Sequence, residues 1–163
     1  MQNVTLAKLI VAVVMLGVAG VLLWRFIHER NDVSEKAFFY DLSKQKLFTG
    51  SRTGVPPIKG IDDTAEDAVR AVVISTNGTP DVKASWTIAY LEMYSPELKR
   101  QMEEAQATGS SPMMGRALAQ SQRLVRRLGD SQWFPLSSPE GEQIVTEWAR
   151  PGPNGITPVV CTP

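Results

Sequence analysis

Few side chains of this sequence are suited to chemistry, and they do not form a familiar catalytic pattern. His28 is the only histidine and Cys161 is the only cysteine. Without a second histidine there is no acid–base pair built on imidazole, and a Ser-His-Asp or Cys-His triad would have to use His28. Cys161 is predicted to be a small packed hydrophobe, and the alternative is a reactive thiol or an intermolecular bridge.

The segment DDTAED groups Asp62, Asp63, Glu66 and Asp67. Paired carboxylates bind calcium or serve as acid and base, but this spacing lacks the alternate ligands and central glycine of a calcium loop. We predict a solvated loop here. An anchored hydrolase that uses Asp62 and Glu66 is the alternative from the enzyme class.

The segment RLVRR places three arginines close to Trp133, namely Arg123, Arg126 and Arg127. Arginine interleaved with aromatic rings can bind nucleic acid or lipid headgroups. However, the chain has 17 basic and 17 acidic residues and a formal net charge of zero. We therefore predict a solvated strand face and no nucleic-acid partner. With no glycine-rich phosphate loop either, the sequence predicts no enzyme, no catalytic or metal-binding residue and no cofactor.

The strongest pattern is an apolar run near the start of the chain. Residues 6–27 would form a helix of roughly 33 Å, about the thickness of one hydrocarbon core, which predicts a transmembrane helix. A tail over residues 1–5 precedes it and a linker over residues 28–36 follows it. No small-residue cleavage site ends the run, so we expect an uncleaved signal-anchor. The predicted membrane-interface anchors are Lys8, Trp24, Arg25 and His28.

This anchor predicts a single-pass protein of the cell membrane whose partners are the lipid bilayer and other membrane protein subunits. Counting of Lys and Arg beside the span places the soluble domain in the cytoplasm, whereas a short tail before an apolar helix favours an extracytoplasmic, periplasmic domain, which we prefer. Small residues could form a strip against a neighbouring helix, although they are also common in membrane helices. The members of this strip are Ala12, Ala19 and Gly20, and Gly17 is a further candidate partner contact.

The rest of the chain predicts a small α+β domain over residues 37–150 and an extended C-terminal tail over residues 151–163. AFFYDLSKQKLFTG is typical of two short strands joined by a turn, and SQRLVRRLGDSQWFPL is typical of a second hairpin. Two helices are expected to start at Ser-Pro-Glu segments, with Ser95 and Ser138 as N-caps. The expected architecture is an antiparallel sheet of hairpins packed with two helices.

Three segments, FFYDLSKQKLF, YLEMYSPELK and LVRRLGDSQWFPLSSPEGEQI, resemble a group of small single-pass bacterial envelope proteins. This resemblance implies a membrane-anchored α+β domain without catalytic residues. Members of that group often carry several cysteines, of which only Cys161 has a counterpart here. The architecture alone is also similar to type IV pilins and pseudopilins, but position 5 is Thr5 where those families need a glutamate.

These patterns predict a non-enzymatic accessory subunit of a larger membrane protein complex. Docking is expected through the transmembrane helix and the membrane-proximal hairpin, whose aromatic rings exceed what a two-stranded ribbon buries by itself. These rings are Phe38, Phe39, Tyr40 and Phe48. The alternative is that they fill the core of the domain. A filament subunit similar to pilins is the second hypothesis.

Overall fold

The computed structural model describes residues 15–24, 34–62 and 65–163. The chain divides into two units, Met1–Ser34 and Glu35–Pro163. In the first unit, residues 15–24 form an α-helix, α1, whose side chains are exposed.

The prediction that this chain crosses the membrane once through a signal-anchor is wrong. Among the described residues, no helix is both long and apolar enough to cross a membrane. The other parts of the predicted span, residues 6–14 and 25–27, lie outside the described residues, as do the predicted anchors Lys8, Arg25 and His28.

The second unit has the predicted α+β class, with a seven-stranded antiparallel sheet. The strand order is β2-β1-β3-β4-β5-β6, and β7 pairs with β3 beside β1. The strands are β1 (Lys36–Asp41), β2 (Lys46–Ser51), β3 (Ala68–Ser75), β4 (Trp86–Tyr94), β5 (Arg123–Arg126), β6 (Phe134–Pro135) and β7 (Val159–Val160). The two predicted hairpins are confirmed as β1–β2 and β5–β6. The predicted C-terminal tail does not lie apart from the domain, because it supplies β7 to the sheet.

Both Ser-Pro-Glu helix starts are confirmed. Ser95 caps α2 (Pro96–Thr108) by accepting a hydrogen bond from the Leu98 N–H at 3.2 Å. Ser138 caps α4 (Pro139–Glu147) by accepting one from the Gly141 N–H at 3.0 Å. A proline follows each cap, where its missing N–H costs no hydrogen bond. The unit also contains α3 (Arg116–Gln122), so the expected number of two helices is too low.

Helices α2 and α4 lie on one face of the sheet, which we call the helix-covered face. Arg127 continues the side of β5 that carries Val125, and its guanidinium Nε lies 2.5 Å from Glu147 Oε1 on α4. On the same face, α2 contacts the loop that covers Phe39. Gln106 on α2 donates a hydrogen bond from Nε2 to the carbonyl of Thr53 in that loop, at 3.0 Å. Strands alternate their side chains between two faces, so the other face is left to the remaining residues of each strand.

Candidate functional site

The opposite face of the sheet, which we call the open face, has a continuous apolar surface. Its buried centre comes from four strands and the residue after β7, and consists of Phe38, Val69, Ala71, Val73, Leu91 and Cys161. Partly buried side chains pack around this centre, namely Tyr40, Leu42, Leu47, Trp86, Ile88, Met93 and Trp133. Because these outer side chains still contact solvent, the open face presents aromatic and aliphatic atoms to anything that approaches it.

The aromatic rings of the open face are held in place by contacts within the sheet. The Phe38 and Trp86 rings meet edge to face with centroids 5.3 Å apart. Trp86 Nε1 donates to the Pro80 carbonyl at 2.7 Å, which satisfies the polar group of that indole. The Arg126 guanidinium lies 4.8 Å from the centre of the Trp133 ring. The surface is therefore preorganised, with large side chains already ordered.

Neither α2 nor α4 contributes a buried residue to the open face. The buried residues of α2 and α4, Leu98, Ala105, Gly141 and Ile144, do not belong to the open-face cluster. An antiparallel sheet with one face covered usually places polar side chains on the other. Here both faces are apolar, as the consecutive buried rings of Phe38 and Phe39 show at 6% and 0% exposure. The centre of the open face is itself only 0–6% exposed, because the outer side chains pack against it, and these outer side chains form the candidate docking surface.

The aromatic residues predicted to contact a partner are divided between the two faces. Phe39 is fully buried on the helix-covered face, with its ring 5.9 Å from Phe48 and the Arg70 guanidinium 5.6 Å above it. Phe38 is buried on the open face and Tyr40 is partly buried there. Phe38 and Phe39 thus fill the core, as the alternative interpretation had it. Of the four rings, Tyr40 is the one accessible on the open face.

The small residues predicted to form a strip belong to the first unit or lie outside the described residues. Gly17, Ala19 and Gly20 are on α1, and so is Trp24. Ala12 is outside the described part of the chain. The prediction that these residues bind a partner helix stays a prediction.

The acidic cluster is divided among separate partners. Asp62 lies 2.8 Å from Lys44 Nζ, and Glu66 lies 2.5 Å from Lys99 Nζ, which lowers the pKa of Glu66. Asp67 Oδ2 accepts a hydrogen bond from the Ser43 N–H at 3.2 Å, and Asp63 lies outside the described residues. Within the described ranges, no group of three or more His, Cys, Asp or Glu side chains is placed to hold a metal ion.

Asp41 is a buried carboxylate that the sequence did not single out. It has no exposed surface, and it accepts hydrogen bonds from the N–H groups of Ile61 and Lys44, each at 2.8 Å. These two bonds, Ile61 first, lower the pKa of Asp41. The carboxylate therefore fixes the β1–β2 turn and ties it to the loop before β3. Its place as the first residue of the DLSKQ turn is the only signal that could have indicated this role.

A second buried charge, Glu92, lies on the helix-covered face of β4. Its Oε2 accepts a hydrogen bond at 2.9 Å from Nη2 of Arg123, one of the three clustered arginines. Burial, followed by the charge of Glu92, raises the pKa of the neighbouring Tyr90 and Tyr94. The ion pair joins β4 to β5 beneath the helices, and no sequence pattern predicts it.

The clustered arginines are engaged within the protein. Arg123 pairs with Glu92, Arg127 pairs with Glu147, and Arg126 Nη1 donates to the Asp130 carbonyl. Cys161 is 4% exposed in the centre of the open face, and burial raises the pKa of its thiol. That position fits the predicted small hydrophobe.

Comparison with protein families, with curated proteins and with solved structures finds no match for this chain. The resemblances to bacterial envelope proteins and to pilins therefore stay predictions. The site rests on the geometry of the chain alone.

Proposed function

We propose that this chain is a non-enzymatic subunit of a larger protein complex and that it binds a protein partner on the open face. The observation that carries this proposal is a second apolar face of the seven-stranded sheet, to which α2 and α4 contribute no buried residue. Two-layer α+β domains bury one face of the sheet beneath their helices. A partner that covers the partly exposed outer side chains of the open face would gain hydrophobic stabilisation.

The composition of the open face supports a protein partner. Trp, Tyr, Met and Arg are the residues that interface centres favour, and Trp133, Tyr40, Met93 and Arg126 lie together there. Acidic residues are missing from the cluster, and the whole chain has no net charge. Recognition of the partner would then depend on shape complementarity and on the burial of ordered aromatic rings. Long-range electrostatic attraction between the two proteins would contribute little.

Site-specific photocrosslinking in cells that make the full chain tests the proposal. A benzoylphenylalanine at Tyr40 places the probe on the open face with little change of shape. The control probe replaces Ala107, an exposed residue of α2 on the other side of the sheet. We expect one discrete protein adduct from position 40 and none of the same mass from position 107. No adduct at position 40, or the same adduct at both positions, would contradict the proposal.

A further inference from the structure

The two ends of the sheet differ in how their outer edges are protected. At β6, the Leu136 N–H donates to the Arg123 carbonyl at 2.8 Å, so the alternation of an antiparallel pair turns Pro135 outward. Proline has no N–H, and the Pro135 carbonyl already accepts from the Ser138 N–H at 2.9 Å. The β6 edge therefore offers no donor and no free acceptor at this position, as protected edges do.

At the other end, β2 is six residues long and contains neither a proline nor a bulge. The Arg52 N–H donates to the Glu35 carbonyl at 2.8 Å, which makes Glu35 and Arg52 a hydrogen-bonded pair. The same alternation then directs the backbone groups of Lys46, Phe48 and Gly50 toward β1. Those of Leu47, Thr49 and Ser51 face outward.

Most of the outward-facing backbone groups of β2 have no hydrogen-bond partner among the described residues. The Ser51 carbonyl accepts from the Gly54 N–H at 3.0 Å, which closes that end of the strand. The N–H and C=O groups of Leu47 and Thr49 have no partner on this side among the residues that the structure describes. These four groups have the spacing that an added strand would pair with.

We infer that the partner protein contributes an extended strand that pairs with the outer edge of β2. This inference rests on the proposed function and names the element of the partner that binds. The side chains of Leu47 and Thr49 point to the open face, because Leu47 is opposite Tyr40 and Thr49 is opposite Phe38. An added strand would thus extend the open face, and its apolar side chains would lie beside Leu47.

The charges around β2 specify the partner strand further. Lys46 begins the strand and Arg52 follows it, both are exposed, and neither has an ion-pair partner in the described part of the chain. No acidic residue lies within β2. The partner strand is therefore one with alternating apolar residues and an acidic residue near each end.

The test uses the Tyr40 crosslink in the full chain with substitutions at one outward position. Thr49→Pro removes an outward N–H that the fold does not use, and an edge strand tolerates proline there. Thr49→Val keeps the N–H and serves as the matched control. We expect Thr49→Pro to lower the adduct by at least about tenfold, equivalent to about 1.4 kcal/mol of binding, and Thr49→Val to leave it unchanged.

The outcomes separate this inference from the proposed function. An adduct that survives Thr49→Pro overturns the added strand and leaves binding on the open face intact. If the chain without a substitution at Thr49 gives no adduct, both the added strand and the proposed function are wrong. If the adduct joins two copies of this chain, the partner is not the separate protein inferred here. If Thr49→Pro loses its thermal transition, hydrogen exchange in the purified complex decides: slowed exchange at the Leu47 and Thr49 amides supports the added strand, and unchanged exchange refutes it.

Discussion

Replacing Arg123 by Met tests the reasoning about the buried ion pair of the helix-covered face. The side chain of Glu92 is 7% exposed and that of Arg123 is 38% exposed, with Nη2 and Oε2 2.9 Å apart. Arg123→Met keeps most of the aliphatic packing but removes the cation. The Glu92 carboxylate then stays in a nearly dry position without its partner.

The cost follows from this burial. Breaking a buried ion pair by removing one partner costs about 3–5 kcal/mol. Because Arg123 keeps part of its surface in water, the lower end applies, and we expect about 3 kcal/mol of lost stability. For a domain of this size that corresponds to a fall in Tm of about 10 °C. Replacing both residues, Glu92→Leu with Arg123→Met, should recover most of the loss, since no buried charge remains.

Urea unfolding of the full chain, followed by tryptophan fluorescence, measures these free energies. The double-substituted chain is the control for lost packing. A loss below about 1 kcal/mol for Arg123→Met would show that the pair behaves like a surface salt bridge. A double variant as unstable as the sum of the two single variants would refute the claim that the unpaired charge is the cause.

Three further predictions concern single sites. Gly141→Ala should lower the free energy of unfolding by about 1–3 kcal/mol in urea titrations, because its Cβ would lie 2.1 Å from the Pro135 carbonyl oxygen, and an unchanged free energy would contradict this. Since the pKa of Asp41 is lowered in the fold, its contribution to stability is complete above the ordinary aspartate pKa of about 3.9 and is lost as pH falls through the lowered value. Asp41→Asn should therefore be less stable at neutral pH and lose less stability on acidification, and a parallel pH dependence would contradict this. Cys161 should react with a thiol reagent only after unfolding, and rapid labelling of the folded chain would show that it is accessible.

Local signals in the sequence predicted the elements that depend on neighbouring residues. The two Ser-Pro-Glu segments set the starts of α2 and α4, because cap, proline and acidic first turn act within four residues. The aromatic run before DLSKQ predicted the β1–β2 hairpin for the same reason. Contacts between distant segments were not predictable in this way. Val159 and Val160 pair with β3 across more than eighty residues, and no local pattern marks a two-residue strand.

The candidate site was only partly predictable. The FFY run shows that both faces of β1 are apolar, but sequence cannot say which face the helices cover, because that depends on how loops direct α2 and α4. Buried charges are equally hidden, since Asp41 and Glu92 resemble exposed carboxylates until their partners are known. The apolar run at residues 6–27 predicted a membrane span from its hydropathy alone, whereas no helix of the described residues is long and apolar enough to cross a membrane.

Oxidative footprinting of methionines in the purified complex tests the central claim most directly. Met93 lies on the open face and is partly buried, while Met113, between α2 and α3, is 98% exposed and serves as the internal reference. If a protein partner covers the open face, oxidation of Met93 should slow by about tenfold or more in the complex relative to the isolated chain, with Met113 unchanged. An unchanged rate at Met93, or protection confined to Met113, would contradict binding on the open face.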